Sequence, residues 1–152
     1  MSDVAYFKVY PGFDAEYMGE IINAGAKAVI LEGYACGTLP AKGKLLPTIR
    51  KLSKKIPIFL LSGTQVPNDD GVSFVLGYGS QIDALNAGII PLETSNSADF
   101  LDVINTLDRI IESSTSKDEI VQRMTSTYCR QGFFERLEKA KSNALTIIGS
   151  LE

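Results

Sequence analysis

The residues predict a three-layer α/β/α domain built on a mainly parallel, Rossmann-like sheet. Three observations carry this. Ala28–Glu32 and Ile58–Ser62 are apolar runs of strand length, apolar on both faces. Stretches with apolar residues at helical spacing alternate with them, and Gly or Pro marks the junctions. Strand, helix, strand, helix, strand is the order from which parallel sheets with right-handed crossovers are made, covered by helices on both faces.

Ala5 to Tyr10 mixes aromatic and β-branched residues and stops at Pro11-Gly12, a first strand followed by a turn. Asp14 is placed to cap a helix to about Ala24, with Glu16 in its first turn, an apolar stripe of Met18, Ile21 and Ile22, and Gly25 where the chain must turn. Ala28–Glu32 reads as a central strand. Leu45, Leu46, Ile49 and Leu52 then line one side of a helix whose other side carries Lys44, Arg50, Lys51, Lys54 and Lys55, read as a solvated face. Pro57 opens the third strand. Pro67 to Gly71 is a turn, and Val72 to Tyr78 fits either a short strand or a glycine-rich connection. Gln81 to Ala87 reads as a short helix ended by Gly88, and Ile89-Ile90-Pro91 as a short last strand. Ser97-Ala98-Asp99 begins what should be the longest helix, with Phe100, Val103, Ile104, Leu107, Ile110 and Ile111 inward. Ser116-Lys117-Asp118-Glu119 is a capping-box pattern for a helix to about Thr125. Phe133, Phe134, Leu137 and Ala140 are at helical spacing, followed by a further stretch from Ala144 to Leu151.

Composition narrows the chemistry. A chain of 152 residues with 45% hydrophobic and 22% charged residues is one globular domain by length. A net charge of −3 with mixed Lys and Glu offers no basic face for a nucleic acid backbone, so no direct nucleic acid partner is expected. No apolar run approaches the roughly 18 residues of a membrane span, and no signal peptide precedes Tyr6; no membrane association and a cytoplasmic location are the expectation. Cys36 and Cys129 lack metal-site spacing. Histidine is absent, which removes Ser-His and Cys-His nucleophile pairs, His-ligated zinc and imidazole acid/base chemistry from this chain.

The stretch from Ala28 to Pro40 organises the rest. A strand empties into a loop of two glycines, small residues, a hydroxyl and a thiol, closed by Pro40. In open parallel sheets, loops at strand carboxyl ends are where ligands bind. The ligand-binding candidates are Glu32, Gly33, Tyr34, Cys36, Gly37 and Thr38 in this loop, with Thr64 and Gln65 after the third strand. Glu32 reads equally as a partner for a ligand amine or for the loop backbone. Cys36 reads first as a small buried thiol, and Tyr34 and Tyr78 as pocket walls or aromatic packing. Asp69 and Asp70 read as turn formers. The Gly33 to Gly37 spacing is not a dinucleotide fingerprint. Amide hydrolysis by a threonine needs a base and oxyanion donors. Thr38 and Thr64 have hydroxyls and the glycines have N–H groups, but only Glu32, Asp69, Asp70, Lys42 and Lys44 stand near as bases. No residue is assigned a catalytic role, and no metal or cofactor is expected.

Tyr10-Pro11-Gly12, the run Ile30 to Pro40, Thr64-Gln65, Tyr78-Gly79-Ser80 and Ala87-Gly88-Ile89-Ile90-Pro91 occur in an order and spacing that resemble the C-terminal domain of the L-asparaginase/glutaminase family. The resemblance runs from about Tyr6 to Tyr128 and includes cytoplasmic asparaginases and the D subunit of archaeal glutamyl-tRNA(Gln) amidotransferase. It implies an amidohydrolase fold without its hydrolytic machinery, because the family's nucleophilic threonine belongs to an N-terminal domain. That domain's Thr-Gly-Gly-Thr and Gly-Thr-Asp-Thr motifs occur nowhere in this sequence. Periplasmic members also send an Asn and a Glu into a neighbouring active site; the matching positions here are Thr38 and about Val72, so neither side chain is retained.

The expected organisation is residues 1–129 as the asparaginase C-terminal-like α/β domain and 130–152 as a helical extension packed on it. The expected function is a free-standing small-ligand-binding or assembly module, with a separately encoded asparaginase N-terminal domain or a second copy as partner. The alternative is an asparaginase/glutaminase-type amidohydrolase component, active only beside a separate N-terminal domain. In a third reading the domain has drifted from that origin, and Phe133, Phe134 and Leu137 cover the surface an absent domain once packed against.

Overall fold

A sheet whose middle strands carry only apolar side chains must be covered on both faces, and the chain does this with two different sets of helices. The computed structural model describes residues 3–34, 38–40, 42–61, 79–93 and 100–151. Along it lie β1 (Val4–Lys8), α1 (Glu16–Asn23), β2 (Ala28–Glu32), α2 (Leu45–Leu52), β3 (Ile58–Leu61), α3 (Gly79–Asn86), β4 (Ile90–Pro91), α4 (Phe100–Ser113), α5 (Lys117–Tyr128) and α6 (Phe133–Leu151). The strands pair in parallel in the order β1-β2-β3-β4. Lys8 stands opposite Glu32 and Glu32 opposite Leu61, so β1, β2 and β3 end level with one another.

Sheet order equal to sequence order has a consequence for the layers. Each crossover steps the same way, and with one handedness all crossover helices fall on the same face. The core divides accordingly. Ala5, Val29, Leu31, Ile58 and Leu60 pack with Met18 of α1, Leu45, Ile49 and Leu52 of α2, and Ala84 of α3. The opposite face, with Val4, Ala28, Ile30, Phe59 and Leu61, is covered by Val103, Leu107, Ile110 and Ile111 of α4 and Ile120 and Met124 of α5. The α/β fold with helices on both faces is as the residues predicted; the second cover comes from chain that follows β4, not from a crossover.

Local chemistry explains the element ends. Tyr10–Phe13 is a turn closed by Phe13 N–H donating to Tyr10 O at 2.9 Å, with Gly12 at φ 86° where a side chain would be strained. Gly25, at φ 114°, ends α1 as expected. Asp14 reaches α1 from one position earlier than the residues predicted. Ala15 holds the N-cap position without a side-chain bond, while Asp14 Oδ1 accepts from Glu16 N at 3.0 Å. Pro47 is tolerated because it sits in the first turn of α2, where no intrahelical N–H partner is needed. Ser116 caps α5 through Glu119 N at 3.2 Å, and the Glu119 carboxylate accepts from Thr115 N and Oγ1 in return. The Thr115 N–H holds the Glu119 carboxyl below the usual carboxylate range.

Three expectations are corrected. β1 ends at Lys8 rather than Tyr10, although Val9 N still donates to Glu32 O at 2.9 Å. α5 continues past Thr125 to Tyr128, because Thr125, Ser126 and Thr127 return their hydroxyls to carbonyls one turn back and leave the backbone ladder intact. The longest helix is α6, with 19 residues against 14 in α4, since Lys141, Ser142 and Asn143 contain nothing that breaks a helix. Its first turns are buried, with Phe133 and Leu137 in the α1–α3 core. The strand or connection expected at Val72–Tyr78 lies outside the described residues, as does the turn from Pro67 to Gly71. No helix among the described residues is long and apolar enough to cross a membrane.

If α4 is a structural layer, Leu107→Ala should lower the unfolding free energy by about 2–5 kcal/mol in urea, as for other buried leucines. Leu145, half exposed on α6, should tolerate alanine within about 0.5 kcal/mol. A tolerated Leu107→Ala would show that the second face is not closed by α4.

Candidate functional site

The carboxyl ends of β1 and β2 bring two of the expected loops to one rim. Parallel pairing through Lys8↔Glu32 places the Tyr10–Phe13 turn beside the loop that starts at Gly33. Gly33 N donates to Leu61 O at 2.9 Å, so β3 leaves the sheet at the same level. Within the loop, Tyr34 N donates to Thr38 O at 2.8 Å and closes the segment on itself. Leu39 anchors its far side, 3% exposed, and Tyr34 packs against the α1–α3 core. Gly33 is required by space rather than by torsion. A Cβ there would stand 2.7 Å from Thr38 O and 3.2 Å from Leu60 Cδ1.

Glu32 is the functional group of this rim that the structure defines in most detail. Strand alternation puts Tyr6, Lys8, Ile30 and Glu32 on the α4 side of the sheet. Tyr6 O–H donates to Glu32 Oε2 in a short contact, and Lys8 Nζ lies 3.9 Å from Oε1. The Glu32 side chain is 17% exposed, and burial pushes its pKa above the usual carboxylate value. Phe100, at the start of α4, stacks on Tyr6 with ring centroids 5.2 Å apart and planes at 15°. On the other side of β1, Phe13 meets both Phe7 and Tyr10 edge-on. The rim therefore presents a half-buried carboxylate, a phenol and an ammonium, walled by aromatic rings. Such a set can hold a ligand's amino or amide group by hydrogen bonds.

Of the sequence-predicted candidates, Glu32, Gly33, Tyr34 and Thr38 are brought together on this rim. Cys36, Gly37, Thr64 and Gln65 lie outside the described residues, as do Gly63, Asp69, Asp70 and Tyr78. Three surface hollows lined by described residues lie elsewhere: between α4 and α5, between α1 and α2, and at the amino ends of β2 and β3. None of the three includes Glu32 or Thr38.

The residues alone did not single out Glu93, the second carboxylate at a strand end. It is 8% exposed and accepts from Arg130 N at 2.8 Å and Arg130 Nε at 3.0 Å, with Arg136 Nη2 3.7 Å away. Cys129 beside it donates toward Pro91 O at 3.8 Å, and burial is the main cause that raises its thiol pKa. Cys129 touches both core clusters, which marks the point where the chain passes from the α5 face to the α6 face. A local signal existed: Leu31-Glu32 and Leu92-Glu93 both follow an apolar strand. The arginine partners, 37 residues and more away along the chain, carried no such signal.

A parallel α/β/α domain with its polar loops gathered at the strand carboxyl ends defines the class. The chain belongs to the Glutaminase/Asparaginase C-terminal domain family, whose sequence profile matches residues 3–100. Among solved structures it is similar to L-asparaginase I from Vibrio cholerae O1 biovar eltor, with a TM-score of 0.67 and 18% identity over 82% of this chain and 36% of that one. It is also similar to the thermostable L-asparaginase from Thermococcus kodakarensis, with a TM-score of 0.61 and 20% identity over 80% of this chain and 35% of that one. The likeness is one of fold, and the chain spans about a third of the length of these enzymes. No curated protein matches it.

Two substitutions test the rim. Gly33→Ala should cost about 1–3 kcal/mol, because the new Cβ forces Thr38 O away and opens the loop closure. As for Glu32, its neutral form is the better tolerated one in the folded chain, so stability falls as pH rises through the raised folded pKa. Glu32→Gln should remove that fall. Urea unfolding from acid to neutral pH should show the variant gaining on the parent, and a difference constant with pH would contradict the assignment.

Proposed function

We propose that this chain acts as an asparaginase-type C-terminal domain that binds a small amino- or amide-bearing ligand and assembles with a partner, without supplying the nucleophile. The observation that carries this is the rim at the ends of β1 and β2. It joins a half-buried Glu32, held by Tyr6 and Lys8, to a closed glycine loop, with no histidine anywhere in the chain. The order β1-β2-β3-β4 favours assembly over a self-contained pocket. Among the described residues the strand order does not reverse, so the four described strands form no crevice at a switch point, which supports a second body closing over the rim. The fitting partner is a separately encoded asparaginase N-terminal-type domain bearing the Thr-Gly-Gly-Thr motif. In that arrangement Glu32, Tyr34 and Thr38, with Cys36, Gly37, Thr64 and Gln65, line the ligand side of the interface. Residues 130–152 serve as an extension of the domain rather than part of the rim. The setting is cytoplasmic, as in the amidotransferase D subunit and cytoplasmic asparaginases that the sequence resembles.

The chain by itself should release no ammonia from L-asparagine or L-glutamine in a coupled assay. Mixed with an asparaginase N-terminal domain, it should co-elute on gel filtration, and Glu32→Gln should weaken that complex or its retention of L-aspartate. Ammonia release by the chain alone would replace this reading with that of an autonomous amidohydrolase. Failure to bind either the amino acid or the domain would remove it.

A further inference from the structure

α4 and α5 cover the sheet with their apolar sides and leave a polar hollow between them. It measures about 560 Å³ and carries two arginines, Arg109 of α4 and Arg123 of α5, against one carboxylate, Glu119. Neither guanidinium is fully engaged. Arg109 Nη2 donates to Thr106 Oγ1 at 3.3 Å, and Arg109 forms no ion pair among the described residues, in a chain whose acids outnumber its bases 18 to 15. Arg123 is fixed through a single nitrogen. Its Nη1 donates to Ser113 Oγ at 2.8 Å, Ser114 Oγ at 3.1 Å and Ile110 O at 3.5 Å, which leaves the Nε–Nη2 edge without a bond among the described residues. Glu119 Oε1 lies 4.0 Å from that same Nη1, and the Glu119 carboxylate is taken up by the N–H and hydroxyl of Thr115. Ser126 and Thr127, also in the lining, donate their hydroxyls to carbonyls of their own helix. The lone pairs of both oxygens remain for an outside donor.

We propose that this hollow binds a small oxyanion ligand, a phosphate monoester or a carboxylate, with Arg109 and the Nε–Nη2 edge of Arg123 as its two forks. A planar guanidinium held at one corner is preorganised for a two-point grip on phosphoryl or carboxylate oxygens. Two guanidiniums against one carboxylate leave the lining net positive, and the Ser126 and Thr127 oxygens accept from hydroxyl or N–H groups on the ligand's body. The size is ordinary for a small-molecule site. Every residue of the hollow lies beyond residues 3–100, the part matched by the family profile. None belongs to the rim, so this site stands apart from the ligand reading there.

Thermal melts of the full chain in rising sodium phosphate or sodium acetate, each set against sodium chloride of equal ionic strength, test it. At least one of the two oxyanions should raise Tm along a saturating curve that chloride does not reproduce. A response to phosphate alone identifies a phosphoryl ligand, and one to acetate alone a carboxylate. Arg109→Gln should shift the midpoint of that curve upward about tenfold or more, the loss expected of charge-assisted hydrogen bonds, while Arg50→Gln, on α2, should shift it less than about twofold. Ser126→Glu sets a carboxylate among the arginines at an exposed helical position; it should abolish the response and leave the melt in chloride intact. A rise that grows with concentration without saturating is general exclusion of salt from the surface and overturns the proposal. So does a saturating response that Arg109→Gln and Ser126→Glu leave unchanged.

Discussion

The constraint on which the rest depends is the complete burial of the central strands. Ala28, Val29, Ile30 and Leu31 are each fully buried, as are Ile58 and Phe59. A strand this apolar is stable only between two layers, and the strand order supplies one of them. The second layer must come from chain that follows β4. α4 and α5 exist where they do because Ile30, Phe59 and Leu92 would otherwise face water.

That demand shapes the carboxyl rim. To supply the second cover, the chain must leave β4 and go under the sheet, and α6 then returns to the first face. The return point is held by Glu93, which takes both the backbone N–H and the guanidinium of Arg130. A carboxylate this buried is costly unless its hydrogen-bonding capacity is filled by charged and backbone donors, and here it is. Glu32, the last residue of β2, is satisfied differently. A phenol and a distant ammonium meet it, burial raises its pKa, and it remains partly open. Two carboxylates at strand ends thus divide the work: one ties the chain, and the other stays accessible at the rim.

Among the described residues, three successive crossovers on one face leave the strand order without a reversal. The chain spans about a third of the length of the asparaginases it resembles in fold.

How much was legible varies by residue. Ala28–Glu32, Ile58–Leu61, the Pro11-Gly12 turn, Gly25 and the Ser116 cap were readable because each is set by neighbours within a few positions. So was the family, through short loops in a given order. The Tyr6–Glu32 pairing was not, since it arises from register between strands 26 residues apart. Nor was Glu93 with Arg130, which meet only because the chain turns around the last strand. Periodicity and turn chemistry are local and survive in a linear string. By itself, the sequence determined an α/β sheet, its helices and the loop at Gly33. Which helices cover which face, and which carboxylate is tied and which left open, came from packing distant segments against one sheet, and only the tertiary structure could decide it.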